Sequence, residues 1–276
     1  MSTPLTPGPA KKSLGQHFLF DPSILSRVAN AGGSVKGKTV IEVGPGPGGL
    51  TRALLDSGVD KLIAIELDDR FAEGLSLWPE ARATAGQEAR LHVHHGDALA
   101  TNIPELIAAV GGVSPAMIVA NLPYNVGTPM LVEWLKAPSW RGTMVLMFQK
   151  EVALRICAAP DDDHYGRLAV LSQAVTRPRL AITLPPGAFR PPPKVDSAVV
   201  VLDPLPDDQR FNDLSGMETI TAAAFGQRRK MLRAALKSLP GAVEALAASG
   251  IDPTRRAETL TQQEFRALTA AWRATR

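Results

Sequence analysis

The chain has 276 residues, 45% hydrophobic and 21% charged, which gives enough apolar side chain for a sizeable core and argues against general disorder. No apolar run approaches the ~18 residues of a membrane span, the Pro-rich start does not read as a secretory signal, and a single cysteine, Cys157, excludes an internal disulfide and a Cys-rich zinc site; the expected setting is a reducing cytoplasm. The net charge of +3 is uneven: residues 1–40 carry five Lys/Arg against one acid, residues 41–200 carry 14 against 17, and residues 201–276 carry 11 against nine, so two basic ends flank an acidic middle and permit a polyanionic partner without requiring one.

Residues 1–10, rich in Pro, Thr and Ser, read as a tail. Asp21-Pro22 opens a helix, with Asp as cap and Pro at the first helical position, and Gly32-Gly33 closes it. Thr39–Val43 is an apolar run broken by Gly44, as expected of a buried parallel strand. A helix over Leu50–Ser57 follows, then strands at Lys61–Glu66, Leu91–His95 and Ala116–Ala120. Thr128-Pro129 caps a helix reaching Lys136, and Thr143–Phe148 is a fifth strand. Strands alternating with helices over ~110 residues predict right-handed crossovers and a mostly parallel sheet. Residues 174–184 and 196–202 read as an antiparallel pair at the sheet edge, joined by a Pro-rich loop. Beyond Pro206 the pattern is helical. The expected organisation is a tail and flap over 1–20, an α/β domain over 21–205 and a small all-helical domain over 206–276.

Gly44-Pro-Gly-Pro-Gly-Gly49 lies between a strand and a helix, where the backbone turns sharply and leaves room for a ligand. Gly44, Gly46 and Gly49 match G-x-G-x-x-G, which also opens dinucleotide-binding folds; no Gly-Lys-Ser/Thr follows, so the loop is not a P-loop. Glu42 stands two residues before it. Glu66 ends the second strand, 22 residues after Gly44, where an acid accepts hydrogen bonds from both hydroxyls of a ribose. Oxidoreductases and methyltransferases share that feature. Asp97 follows the third strand and can accept from an adenine amine, or equally cap a helix.

Asn121-Leu122-Pro123-Tyr124 closes the fourth strand, at the end where open parallel sheets bind ligands. The exocyclic amine of adenine is a poor nucleophile because its lone pair is delocalised into the ring. Two acceptors on its two N–H bonds draw the nitrogen toward tetrahedral geometry. The Asn121 side-chain oxygen and the Leu122 carbonyl are the candidates, with Pro123 restricting Leu122 to extended geometry. Tyr124 offers a flat face for an extruded base.

These segments resemble the ribosomal RNA adenine dimethyltransferases that use S-adenosylmethionine. Gly-Gln-His-Phe-Leu at 15–19, Glu-Val-Gly-Pro-Gly-Pro-Gly-Gly at 42–49, Asn-Leu-Pro-Tyr-Asn at 121–125, Phe148-Gln-Lys-Glu151, Phe189-Arg-Pro-Pro-Pro-Lys-Val-Asp-Ser-Ala198 and Phe225-Gly-Gln-Arg-Arg-Lys230 carry the likeness, in one order, over about residues 11 to 270. The last two segments are closer to the housekeeping branch than to the antibiotic-resistance branch that acts on the large subunit. The resemblance implies a Rossmann-like methyltransferase sheet with a helical C-terminal domain. It also implies dimethylation of two adjacent adenosines near the 3′ end of small-subunit rRNA, on an immature small ribosomal subunit, by a cytoplasmic monomer. Carried over by position, His17, Leu19, Gly44, Gly46, Glu66, Asp97 and Asn121 hold the cofactor. Asn121, Leu122, Tyr124 and Phe189 form the catalytic site, with Phe189 facing the target base opposite Tyr124. The family often has Asn in the place of His17, so a backbone contact there survives the change and a side-chain bond does not.

Arg229, Lys230, Arg233 and Lys237 fall within an arc of about 100° on a predicted helix whose neighbouring arc carries Phe225, Leu232, Ala235, Leu236 and Leu239. Arg228 projects near the apolar arc, where it packs or pairs with an acid. With Lys11 and Lys12 at the flap, Arg229, Lys230 and Arg233 are the expected RNA contacts. Other signals are set aside: His92, His94 and His95 lack a second ligand cluster, so no metal is expected, and Cys157 reads as packed. Three rival readings remain: a nucleic-acid-binding assembly factor in which turnover is dispensable, a large-subunit rRNA methyltransferase of the antibiotic-resistance branch, and a dinucleotide oxidoreductase.

Overall fold

The computed structural model describes residues 3–5, 16–84, 88–136 and 139–276. Lys11 and Lys12 lie outside the described residues. In chain order the strands are β1 (Phe18–Leu19), β2 (Thr39–Val43), β3 (Lys61–Glu66), β4 (Leu91–His95), β5 (Ala116–Asn121), β6 (Arg141–Gln149), β7 (Thr176–Leu184), β8 (Phe189–Arg190) and β9 (Ser197–Pro204). The helices are α1 (Pro22–Ala29), α2 (Gly49–Asp56), α3 (Asp69–Ser76), α4 (Ile103–Ala109), α5 (Gly127–Leu135), α6 (Lys150–Cys157), α7 (Arg167–Val175), α8 (Leu214–Gly226), α9 (Leu232–Ala235), α10 (Ala242–Ala248) and α11 (Gln262–Ala274). No helix among the described residues is long and apolar enough to cross a membrane.

Seven strands form one sheet in the order β4-β3-β2-β5-β6-β9-β7. β4, β3, β2, β5 and β6 run parallel, and β9 is antiparallel to β6. Every residue of β2 is buried, as a parallel strand covered on both faces requires. The chain steps from β2 outward to β3 and β4, then returns to β5 on the other side of β2. The strand order therefore reverses between β2 and β5, which opens a crevice beyond their carboxyl ends. On one face the apolar core joins Val40, Leu62, Val119, Val145 and Val199 of the sheet to Val28 of α1 and Leu54 of α2.

Contacts divide the chain into two compact units: residues 1–153 with 179–203, which carry the sheet, and residues 154–178 with 204–276. The second unit thus starts earlier than the boundary at 205 read from the sequence, because α7 packs with α8 and α11. Its core stacks Phe225 on Phe265 (5.7 Å between centroids) and sets Tyr165 edge-on to Phe225 (6.1 Å), with the Tyr165 hydroxyl donating to the Leu260 carbonyl at 2.9 Å. α11 begins with a capping box in which Thr261 and Glu264 satisfy each other's backbone N–H.

Two local expectations need correction. α5 starts at Gly127 and has no side-chain cap; the Pro123 carbonyl accepts from Val126 and Gly127 N–H, so the turn of the Asn121–Tyr124 segment starts the helix, and Thr128 does not cap it. The basic helix expected beyond Phe225 is interrupted. α8 stops at Gly226, Lys230 N–H closes a turn on the Gln227 carbonyl, and α9 is a single turn. At the start of α9, Leu232 and Arg233 donate their N–H groups to Arg255 and Pro253 carbonyls, so a neighbouring loop takes the donors that a continuous helix would use.

Candidate active site

Four loops leave the carboxyl ends of β2, β3, β4 and β5 and line one cavity of ≈ 190 Å³. Register holds the loops in place. Val43 lies opposite both Ile65 and Ala120, and Glu66 lies opposite His95. The Gly44 N–H then donates to the Ile65 carbonyl and the Gly96 N–H to the Glu66 carbonyl, both at 2.9 Å.

The glycine loop is shaped by what surrounds it. Gly46 has φ +54°, and a Cβ there would lie 2.7 Å from the Phe18 ring; Gly48 has φ +87° with Trp78 equally close. Any larger residue therefore meets both backbone strain and a ring. Glu66 ties the loop to β3: one carboxylate oxygen accepts from Gly46 N–H and the other from Asp68 N–H, each at 2.8 Å. Burial raises its pKa above the usual carboxylate value, against the lowering effect of those bonds. Each carboxylate oxygen has a second lone pair, so Glu66 keeps acceptor capacity on the cavity side. Asp97 is exposed at the cavity edge and accepts from Leu99 N–H at 2.9 Å. It closes a turn there and does not cap a helix.

Beneath the loop, Glu42 is 1% exposed, its Oε2 has no partner, and burial pushes its pKa up to about 8. A second, smaller cavity is lined by Glu42, Gly44 and Asn121.

Asn121 ends β5, and its Nδ2 donates to the His17 carbonyl at 2.9 Å. A carbonyl only accepts, so this bond fixes which end of the amide is nitrogen and leaves Oδ1 as the free acceptor. Leu122 and Tyr124 also line the cavity. The Tyr124 hydroxyl shares a 2.6 Å hydrogen bond with the Ser197 hydroxyl. Its ring stacks on the His17 imidazole, with centroids 5.7 Å apart and planes 28° from parallel. The His17 Nδ1 donates to the Pro191 carbonyl at 2.7 Å.

Phe189 is not brought to this cavity. It is 2% exposed, sits in the sheet core, and pairs through β8 with Leu19 of β1. Strand alternation explains the departure: Leu19 and Phe189 face each other on the buried side of the two-stranded ribbon, while Phe18 and Arg190 share the other side. The ring found against Tyr124 is His17. Leu19 likewise lines the smaller cavity beside Glu42 and not the main one. Phe18, Leu67, Leu99 and Met130 line the main cavity and were not picked out from sequence. Ser197 belongs to the Phe189–Ala198 run, in which nothing signals that it meets Tyr124.

Of the expected RNA contacts, Arg229 and Lys230 are exposed on the turn after α8, and neither has an ion partner among the described residues. Arg233 is exposed on α9, within range of the Asp252 charge. Arg228 is bound, to Glu258 at 3.0 Å and to the Asp163 carbonyl at 2.6 Å. The Cys157 thiol is pushed up to about 11 by burial, as a packed side chain would be. No cluster of metal-ligating side chains occurs among the described residues.

A family model described as "Ribosomal RNA adenine dimethylase" matches residues 9–271. The Ribosomal RNA small subunit methyltransferase A of Gluconobacter oxydans (strain 621H) is 52% identical over 258 residues, spanning 93% of this chain and 81% of that protein. The protein of the same name from Agrobacterium fabrum (strain C58 / ATCC 33970) is 52% identical over 260 residues, spanning 93% and 90%. Among solved structures, a dimethyladenosine transferase from Plasmodium falciparum has a TM-score of 0.73 at 24% identity, over 91% of this chain and 96% of that one. The 23S rRNA methyltransferase ErmE has a TM-score of 0.65 at 23% identity, over 93% and 99%. At these identities the two structures bear on the fold alone.

Proposed function

The chain belongs to the ribosomal RNA adenine dimethylase family, and on that premise we propose that it dimethylates the N6 amine of two adjacent adenosines near the 3′ end of small-subunit rRNA, using S-adenosylmethionine. It acts on the immature small ribosomal subunit, as a monomer in the cytoplasm. The observation that carries the reading is the Asn121 amide, clamped by the His17 carbonyl so that Oδ1 is the free acceptor in a cavity that also holds Glu66, Asp97 and Tyr124.

The residues present fit the cofactor. Glu66 has acceptor capacity for ribose hydroxyls, and Asp97 has it for an adenine amine. Beneath the glycine loop Glu42 lines the smaller cavity, and its unpartnered Oε2 can take a hydrogen bond from a ligand there. When bound, the cofactor supplies an electrophilic methyl on a positively charged sulfur. The protein's part is orientation. Asn121 Oδ1 and the Leu122 carbonyl accept the two N–H bonds of the target amine and localise its lone pair. Tyr124, braced by Ser197, gives the base a face to stack on. The displaced proton leaves to water, and no strong general base is required.

The names of relatives about half identical favour the small-subunit substrate over the large-subunit one. The test is methyl transfer from labelled S-adenosylmethionine to immature small subunits, followed by mass analysis of the rRNA. Two methyls on each of two adjacent adenosines are expected. Label confined to large-subunit RNA, or none with bound particles, would overturn the reading in favour of a different substrate or of an assembly factor without turnover.

A further inference from the structure

The β1–β8 ribbon has two unlike faces. Leu19 and Phe189 are buried on one. Phe18, Phe20 and Arg190 belong to the other by alternation. Phe18 lines the main cavity, Phe20 is 45% exposed, and the Arg190 guanidinium lies 4.4 Å above the Phe20 ring centroid. This outward face therefore continues directly from the wall of the candidate active site. The same continuity appears one residue further on, where the Pro191 carbonyl meets the His17 ring stacked on Tyr124.

Among the described residues Arg190 has no hydrogen bond or ion pair, so none of them occupies its five N–H donors. Asp21, next to Phe20 in sequence, forms no ion pair with Arg190; its Oδ1 accepts from Ser23 and Ile24 N–H and caps α1. Lys194, four residues on, is also exposed and without an ion partner among the described residues. A guanidinium already held over a ring has less freedom left to lose on binding, and its fork matches a phosphate in two-point geometry. A base extruded into the cavity leaves its own backbone phosphates at the cavity mouth.

We propose that Arg190, held against Phe20, binds a backbone phosphate of the RNA beside the extruded adenosine. The inference rests on the rRNA methyltransferase reading for its ligand. Its test reads binding as well as turnover, so the two fail separately.

The variants are Arg190→Ala, Arg190→Lys and Phe20→Ala. Affinity for immature small subunits is measured across a salt series, together with initial rates of methyl transfer and S-adenosylmethionine affinity by calorimetry. Arg190→Ala should raise Kd and KM about five- to tenfold and flatten the salt slope by about 0.7–0.9, the signature of one lost phosphate contact. Arg190→Lys should keep the slope while losing part of the affinity, because it keeps the charge and loses the fork. Phe20→Ala should weaken binding without changing the slope, and cofactor affinity should not move in any variant. Parental affinity and slope in both Arg190→Ala and Phe20→Ala would overturn the proposal and leave a solvated surface pair. Absence of methyl transfer by the parental protein would count against the enzymatic reading, while the Kd series would still decide the role of Arg190.

Discussion

The cavity at the strand ends and the basic turn after α8 hold their side chains in opposite ways. At the cavity, the three groups assigned to polar contacts are tied to backbone: Glu66 by Gly46 and Asp68, Asn121 by the His17 carbonyl, Asp97 by Leu99. On the turn, Arg229 and Lys230 reach into solvent with no ion partner among the described residues. The difference suits the chemistry proposed for each region. A reacting amine needs acceptors placed to within a fraction of an ångström, so neighbours must fix them. A phosphate backbone needs charge within reach, and long solvated side chains supply it with no fixed geometry.

The largest expected effect tests how far the cavity region departs from ordinary solvated behaviour. Glu42 carries an ordinary pKa of 4.5 in the unfolded chain and about 8 when buried. Below about pH 4.5 both states hold the proton and no charge is buried. As pH rises, the unfolded chain ionises first while the folded chain keeps its proton until about 8, so stability falls across that window. Glu42→Gln removes the titration. Its stability relative to the parent should grow from pH 5 to pH 8, toward a ceiling of roughly 5 kcal/mol for a shift of this size. Denaturant unfolding at several pH values measures it, and a pH-independent difference would show that Glu42 titrates as a solvated acid.

Asn121→Ala should lower the rate of methyl transfer ~100-fold or more, about 3 kcal/mol, the scale for losing a positioned polar group at a reacting centre. RNA affinity should change little. If turnover stays near normal, the Asn121 amide is not what orients the target amine.

What the sequence revealed divides along the same line. β2 and β3 were legible to the residue, because continuous apolar runs end at glycine or acid, and the spacing from Gly44 through Glu66 and Asp97 to Asn121 placed four loops on one sheet edge. The ribbon of β1 and β8 was not legible: its partners are about 170 positions apart, and neither two-residue strand shows a period. That pairing is what buries Phe189 and sets His17 against Tyr124. The basic helix failed for a related reason. A 3.6-residue period describes side chains and says nothing of the Arg255 and Pro253 carbonyls that take the backbone donors of Leu232 and Arg233.

Glu66→Gln is a finer probe of the cavity. One amide oxygen can serve only one of Gly46 and Asp68, and the other N–H faces an NH₂ group. Stability and S-adenosylmethionine affinity should each fall by about 1–2 kcal/mol, read by thermal unfolding and by calorimetry. Loss of affinity without loss of stability would mean that the glycine loop does not depend on this carboxylate.

The smallest effect separates two adjacent arginines on the basic turn. Arg228 and Arg229 have the same charge and neighbouring positions, yet Arg228 forks between Glu258 and the Asp163 carbonyl while Arg229 has no ion partner among the described residues. Pairing with Glu258 cancels most of the charge that Arg228 could offer to a phosphate, and its bond to the carbonyl fixes its direction. Arg229→Ala should therefore weaken RNA binding severalfold and flatten the salt slope by about 0.7–0.9, with unfolding unchanged within ~0.5 kcal/mol. Arg228→Ala should do the reverse, leaving the slope in place and lowering stability by up to about 1 kcal/mol, the range for a partly exposed ion pair. Binding across a salt series and denaturant unfolding of both variants read the contrast. Equal slope changes in the two would show that RNA strips Arg228 from Glu258, and that side chains on this turn are recruited by charge alone, whatever they contact in the free protein.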